Sequence, residues 1–509
     1  MKIVTAGSCA VLIAMMMYGH GLTAAASCES LSSMTLPNTS ITVAQMVPAG
    51  GFTLAGTGPA AVQLFNRLPA FCRVAATLAP SVDSDIKIEV WLPAASWNGK
   101  FQAVGNGGWA GTLSYAALAS ALQEGYATAS TDTGHTGGNA AFAIGHPEKV
   151  IDFAYRAVHQ MAVQSKAIIG TFYGRAPRFS YWTGCSTGGR QGLMEAQRYP
   201  EDFDGIIAGA PANNQTQLCA WRLAAEAKVL QEPASVVPRA KLSLINTAVL
   251  AACDALDGVA DGLLTDPHQC HFDPGTLLCH GADGDNCLTA PQVASVRMGY
   301  APLNRKTGEL IYPGLVPGGE TGWAMLTGTN PEPGGIDVGM FRYVAHENPA
   351  WDWRTFDVDR DTDLIDKKAG FIDATSPDLS TFRARGGKLL VYHGWNDGGS
   401  GGAISPQNTV NYYSNVSARL GPHQQDWLRL FMVPGMAHCG GGPGPNQVNW
   451  IAALERWRES GIAPDQLVAS RVNDNRVDMT RPICPYPQNA QYSGVGSTND
   501  AANFACKVP

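Results

Sequence analysis

The chain has 509 residues, 45% of them apolar and only 15% charged, so it can bury a large core and is no disordered segment. Lys and Arg total 35 against 42 Asp and Glu, a net charge of −7 with no Lys/Arg run, which excludes the electrostatic footprint of a nucleic-acid binder. The 57 glycines exceed the usual share of ~7% and predict many tight turns.

Residues 1–26 read as a secretory signal. Lys2 supplies the positive start, Cys9 to Tyr18 the apolar stretch, and Ala24-Ala25-Ala26 a small-residue cleavage site. That apolar run is too short to cross ~30 Å of bilayer as a helix, and no later stretch could span one. The expectation is a secreted or periplasmic protein. Cys9 leaves with the signal and eleven cysteines remain. An oxidising compartment pairs most of them, and the odd count leaves at least one thiol over.

Residues 27–80 read as strand-poor. Lys87 to Leu92 alternates with period two and predicts a strand, as do Phe101 to Val104 and Tyr126 to Thr131. Gly105 to Trp109 forms a glycine-rich turn between them. Apolar residues from Val150 to Ile168 fall at helical spacing over 149–168. A strand (Phe179 to Trp182), a helix (about 189–198) and another strand (Ile206 to Ala208) follow. This alternation predicts a mainly parallel sheet with helices on both faces. It breaks after Pro211 and resumes at Lys388 to Tyr392, at Leu428 to Val433 and in a helix near 447–460. The block between, rich in Pro, Gly and Cys, reads as an irregular lid inserted in an α/β domain. The expected division is signal 1–26, first sheet part 27–212, lid 213–375, second sheet part 376–509.

Gly184-Cys185-Ser186-Thr187-Gly188 matches G-x-S-x-G between a predicted strand and a predicted helix. That is the context of a nucleophile elbow, with Ser186 as the nucleophile. The acid and base should follow in the order Asp/Glu, His. Asp397 closes the strand-end run Val391 to Asp397, and His438 lies on the loop after the next strand. His393 is the rival base, but it precedes the acid. Cys185 and Cys439 flank the nucleophile and the base. If Ser186 and His438 meet, those cysteines fall within disulfide reach and staple points 254 residues apart.

Together, residues 184–214 (GCSTGGRQGLMEAQRYPEDFDGIIAGAPANN), HGWND (393–397), PGMAHC (434–439), GNGGWAG (105–111) and the CD-x-x-DG block from Cys253 resemble the tannase/feruloyl esterase family of α/β-hydrolases. The likeness runs from about Cys28 to the C-terminus. It implies an α/β-hydrolase fold with a large inserted lid, the Ser186–His438–Asp397 triad and a structural Ca²⁺; no organic cofactor is expected. The oxyanion hole would be the Thr187 N–H with one N–H from Gly107 or Gly108.

Asp254, Asp257 and Asp261 can offer side-chain oxygens, and Val259 and Leu263 carbonyls, to a hard cation. The spacing alone equally suits a solvated acidic turn, and the resemblance favours calcium. Cys253 and Cys270 bracket that loop and are expected to pair. Proximity and the resemblance add Cys28–Cys72, Cys279–Cys287 and Cys484–Cys506, leaving Cys219 free. Trp323 and Phe341 stand where the family places lid aromatics and are expected to stack on an aromatic acid. The stretch Gly335 to Gly339 has no arginine to clamp a terephthalate carboxylate. The reading is a secreted serine esterase acting through an acyl-enzyme on hydroxycinnamoyl esters, small or plant-polymeric, with tannase activity on galloyl esters as the alternative. A non-catalytic binding protein on this fold is disfavoured by the complete Ser, Asp and His set.

Overall fold

The computed structural model describes residues 26–398, 403–421 and 423–508. The signal sequence, apart from Ala26, and Gly399 to Gly402 lie outside the described residues.

Strands β1 (Thr39–Val47), β2 (Phe71–Leu78), β3 (Ile86–Pro93), β4 (Lys100–Val104), β5 (Ala127–Thr131), β6 (Phe179–Cys185), β7 (Gly205–Gly209), β8 (Lys388–Gly394) and β9 (Leu428–Val433) form one sheet. Its nine strands run in the order β1-β2-β3-β5-β4-β6-β7-β8-β9. The pairings from β1 to β5 are antiparallel, and every pairing from β5 through β4 to β9 is parallel.

Successive residues of the central strands feed opposite cores. Trp182, Leu389, Val391 and Leu430 enter one, while Tyr181, Leu390, Tyr392 and Phe431 enter the other. Strands buried on both faces read as continuous apolar runs. The helices that cover them include α1 (Tyr115–Gln123), α2 (Ala157–Tyr173) and α3 (Thr187–Arg198). Beyond β7 follow α4 (Gln215–Gln231), α5 (Arg239–Cys253), α6 (Ala290–Tyr300) and α7 (Val358–Ala369); α8 (Pro406–Leu420) and α9 (Trp450–Ser460) come after β8 and β9. Met161 of α2, Leu193 of α3 and Val416 of α8 pack on the first face. Leu454 and Trp457 of α9 pack on the second.

Two expectations are corrected. Residues 27–80 are not strand-poor, because β1 and β2 lie there. The inward residues of β2 include Cys72 and Ala76, too small to mark an alternation, and a bulge between Ile41 and Val43 breaks the period of β1. The block between β7 and β8 is less irregular than its composition suggested, since it carries α4 to α7. Leu223, Ile245, Val296 and Ile365 pack there into a core that also takes in Trp109 and Phe153. Beyond α9 the chain adds the hairpin Leu467–Asn473/Arg476–Ile483 and the pair Asn489–Tyr492/Phe504–Lys507.

All five expected disulfides form: Cys28–Cys72, Cys185–Cys439, Cys253–Cys270, Cys279–Cys287 and Cys484–Cys506. Cys219 is a buried free thiol.

Arg190 of α3 ties three parts of the chain together. It is fully buried, and its guanidinium donates to the Ala154 and Ile372 carbonyls at 2.8 and 2.9 Å and to Phe153 O at 3.3 Å. Phe153 and Ala154 lie in the π-helical turn Asp152–Arg156. Ile372 lies where the chain returns from the lid. Arg190→Met keeps the apolar stem but removes its bonds to these three carbonyls. Chemical denaturation should show a loss of about 3 kcal/mol or more.

Candidate active site

Ser186 sits between β6 and α3 with φ 64° and ψ −124°, a region non-glycine residues enter only under constraint. The constraint is visible in its backbone. The Ser186 N–H donates to Gly209 O at 2.9 Å, and its carbonyl accepts from Arg190 and Ala212, each at 3.1 Å. The flanking glycines are required by contact. A Cβ on Gly184 would lie 2.4 Å from Gly188 O, and one on Gly188 would lie 3.0 Å from Asn106 O. Those same glycines weakened the sequence signal for the helix, which starts at Thr187 rather than near 189.

Asp397 follows β8, His438 follows β9, and the two loops are tied by backbone. Trp395 N–H donates to Val433 O and Asn396 N–H to Met436 O, each at 3.0 Å. His438 Nδ1 donates to Asp397 Oδ2 at 2.6 Å, which leaves Nε2 bare to act as a base. Cys185–Cys439 holds the serine and histidine segments with Cα atoms 5.9 Å apart. No hydrogen bond joins Ser186 Oγ to His438 Nε2 among the described residues; such contacts often close only when substrate binds.

His393, set aside as a base, has a different place. Its Nε2 donates to the same Asp397 oxygen at 2.9 Å, and its Nδ1 pairs with the Thr409 hydroxyl at 2.7 Å. His393, Asp397 and Thr409 are all buried. Burial pushes the Asp397 carboxyl up, but the His438 and His393 imidazoles outweigh it and hold the group below its ordinary value. The acid therefore stays ionised. The H-x-x-x-D spacing was visible in the sequence, but nothing in it announced that both imidazoles share one oxygen.

A narrow cleft of about 30 Å³ opens at Ser186, walled by Gly108, Thr187, Leu218, Arg222, Ile336 and Ile404 among others. Thr187 opens α3, so its N–H has no partner within the helix. Its hydroxyl donates to Gly108 O at 3.1 Å. Gly108 borders the cleft, whereas Gly107 stands back with its carbonyl accepting from Ala110 N–H at 2.9 Å. Trp109 Nε1 donates to Ile336 O at 3.0 Å and fastens the lid over this turn.

Trp323 and Phe341 do not line that wall. Both are 0% exposed. Trp323 packs edge-on against Tyr300, and Phe341 against Phe356. The lid core claims them because full burial of large aromatics outweighs leaving them at a wet surface. Arg222 of α4 does line the cleft and was missed in the sequence.

The acidic loop folds back on itself. The Asp254 carboxylate accepts from the N–H groups of Asp261, Gly262 and Leu263, Asp257 Oδ1 from Val259 at 3.0 Å, and Asp261 Oδ1 from Leu263 at 3.2 Å. Gly258 and Gly262 take φ 90° and 80° to make the wrap. Three carboxylates on one turn are the ligand type a hard cation takes, but here their oxygens bind the loop's own N–H groups, and Arg481 takes one oxygen of Asp261.

The sheet, the elbow and the order of Ser, Asp and His define an α/β-hydrolase. The family model described as tannase and feruloyl esterase matches residues 72–507, and the chain belongs to that family of carboxylic ester hydrolases. An uncharacterised esterase of Xanthomonas campestris is 40% identical, over 95% of this chain and 91% of that protein. An Aspergillus terreus protein named "Probable feruloyl esterase B-2" is 34% identical, over 95% of each chain. The crystal structure of feruloyl esterase B from Aspergillus oryzae superposes with TM-score 0.86 at 32% identity, over 94% of this chain and 99% of that one. Tannin acyl hydrolase from Aspergillus niger shares the fold, with TM-score 0.73 at 22% identity, over 92% and 90% of the two chains.

The staple between serine and histidine is open to test. Cys185→Ala with Cys439→Ala should cost about 5 kcal/mol of stability by loop entropy. Ester turnover should fall about 100-fold as the base drifts from the nucleophile. Equilibrium unfolding and initial rates on a simple aryl ester measure the two effects separately.

Proposed function

We propose that this protein hydrolyses aromatic carboxylic esters of the hydroxycinnamoyl, feruloyl type, with Ser186, His438 and Asp397 as its triad. The observation that carries the proposal is the His438–Asp397 hydrogen bond at 2.6 Å beside the Cys185–Cys439 staple. His438 Nε2 takes the Ser186 proton as Oγ attacks the ester carbonyl. The Thr187 and Gly108 N–H groups face the developing oxyanion, a role supported by their shared cleft with Ser186. His438 returns the proton to the leaving alcohol, and water then releases the acid from Ser186. Asp397 fixes the imidazole tautomer and stabilises the imidazolium. Hydrolysis of galloyl esters is the second reading, favoured by the likeness in fold to a tannin acyl hydrolase.

Initial rates on methyl ferulate and methyl gallate, beside Ser186→Ala, test this. Ferulate preference is expected, with activity in the variant down at least 1,000-fold. Gallate preference would move the substrate to the second reading and leave the triad standing. Full activity in Ser186→Ala would remove the nucleophile.

Asp254, Asp257 and Asp261, with the Val259 and Leu263 carbonyls, would hold Ca²⁺ as a structural ion that binds the lid loop and takes no part in the chemistry. A chelator should then lower the thermal midpoint by about 5 °C or less, reversed by Ca²⁺ and not by Mg²⁺, because a ligand of the native state is removed. Export through residues 1–26 completes the proposal. Five disulfides support an oxidising compartment, and no helix among the described residues is long and apolar enough to cross a membrane.

A further inference from the structure

A guanidinium borders the cleft beside Ser186. Gln215, Leu218, Cys219 and Arg222 of α4 all wall it, at the spacing of a single helix face. The chain turns into α4 directly after Ala212, whose N–H binds Ser186 O, so Gln215 stands at the serine end. Arg222 lies two turns further on, ~10 Å along the helix axis.

One edge of Arg222 is held from the lid. Its Nη2 lies 3.0 Å from Asp337 Oδ2, and Asp337 is 0% exposed. The neighbouring residue, Ile336, is itself a wall of the cleft. Glu226, one turn beyond Arg222, accepts the Gly334 N–H at 2.7 Å and adds a second carboxylate to the group. Among the described residues, no hydrogen bond uses the remaining N–H groups of Arg222. A planar fork with donors to spare, set in the wall of a reaction cleft, is a recognition element for an acceptor oxygen.

We infer that Arg222 is the specificity-determining residue of the acyl subsite, its unspent N–H groups receiving an oxygen substituent at the distal end of an aromatic acyl ring while Asp337 positions it. This rests on the ester-hydrolase reading above and names which acyl groups that site selects. A hydroxycinnamoyl group carries its ring oxygen two carbons further from the ester carbonyl than a galloyl group does, which suits a contact whose backbone lies two turns along α4 from Gln215. Charge favours a neutral phenolic or methoxyl oxygen. Asp337 and Glu226, two carboxyl groups, face the one guanidinium, leaving no net positive charge for a substrate carboxylate.

The test compares substrates that differ only in ring oxygens. Arg222→Met should lower kcat/KM for methyl ferulate about tenfold or more, and for methyl cinnamate less than about twofold. Removing Arg222 alone strands a buried carboxylate, so the pair Arg222→Met/Asp337→Asn carries the comparison if the single variant does not fold. Equal losses on both esters would make Arg222 a structural residue and overturn the inference, as would no loss on either. A larger loss on monomethyl terephthalate than on ferulate would overturn the ring-oxygen assignment in favour of a carboxylate. Calorimetric titration of ferulate and cinnamate into Ser186→Ala, with and without Arg222→Met, reads the same difference without turnover. Weakened binding of ferulate alone is expected there, and failure of Ser186→Ala to bind ferulate more tightly than cinnamate would sink the assignment. Hydrolysis of methyl cinnamate by the unaltered protein tests the ester-hydrolase reading by itself, so the two failures are distinguishable.

Discussion

The backbone of Ser186 is the constraint on which the rest depends. A serine at positive φ is strained by about 1–3 kcal/mol and persists only where its surroundings leave no alternative. Here those surroundings are the ends of two parallel strands. Gly209 O takes the Ser186 N–H from the β7 side, and the packing of Gly184 against Gly188 leaves no room for a Cβ. The elbow is thus a product of the parallel sheet, since only adjacent parallel strands ending together present such a ledge. What the strain achieves is exposure. It lifts the hydroxyl out of the strand end, while the first N–H of α3 stays free beside it.

The lid is bound into that ledge rather than hinged above it. Trp109, on the loop after β4, reaches Ile336 of the lid, and Arg190, on the elbow helix, reaches Ile372 on the returning chain. Helix α4 serves both parts: its first residues follow the Ser186 contact, and its later ones carry Leu223 into the lid core. A cleft built this way has walls from both parts of the chain. Selectivity then falls to individual polar groups set in an apolar wall.

The sequence made the three residues of the proposed triad legible because each carries a local signature. The glycines around Ser186, the strand-end position of Asp397 and the loop position of His438 are patterns of a few residues. The central strands were legible for the same reason, since their apolar runs have no competing reading. Features that depend on distant chain were not. Nothing near β2 shows that Cys72 and Ala76 face a core, and nothing near Trp323 or Phe341 distinguishes a core aromatic from a cleft aromatic. The role of His393 required knowing that Asp397 Oδ2 faces two imidazoles at once. Arg222 looked like an ordinary helical cation until α4 was seen to present residues 215, 218, 219 and 222 to one cleft.

The connectivity of the disulfides also orders events in time. Four of the five bridges close over 44 residues or fewer. The fifth closes over 254 and joins the serine segment to the histidine segment. During synthesis Cys185 therefore emerges long before its partner exists, with the free Cys219 following close behind it. Ser186 is made early, and His438 follows only when nearly the whole chain has been produced. With the proposed triad, an unfinished polypeptide carries the serine without its base, so hydrolytic power would arrive only with the last fifth of the chain.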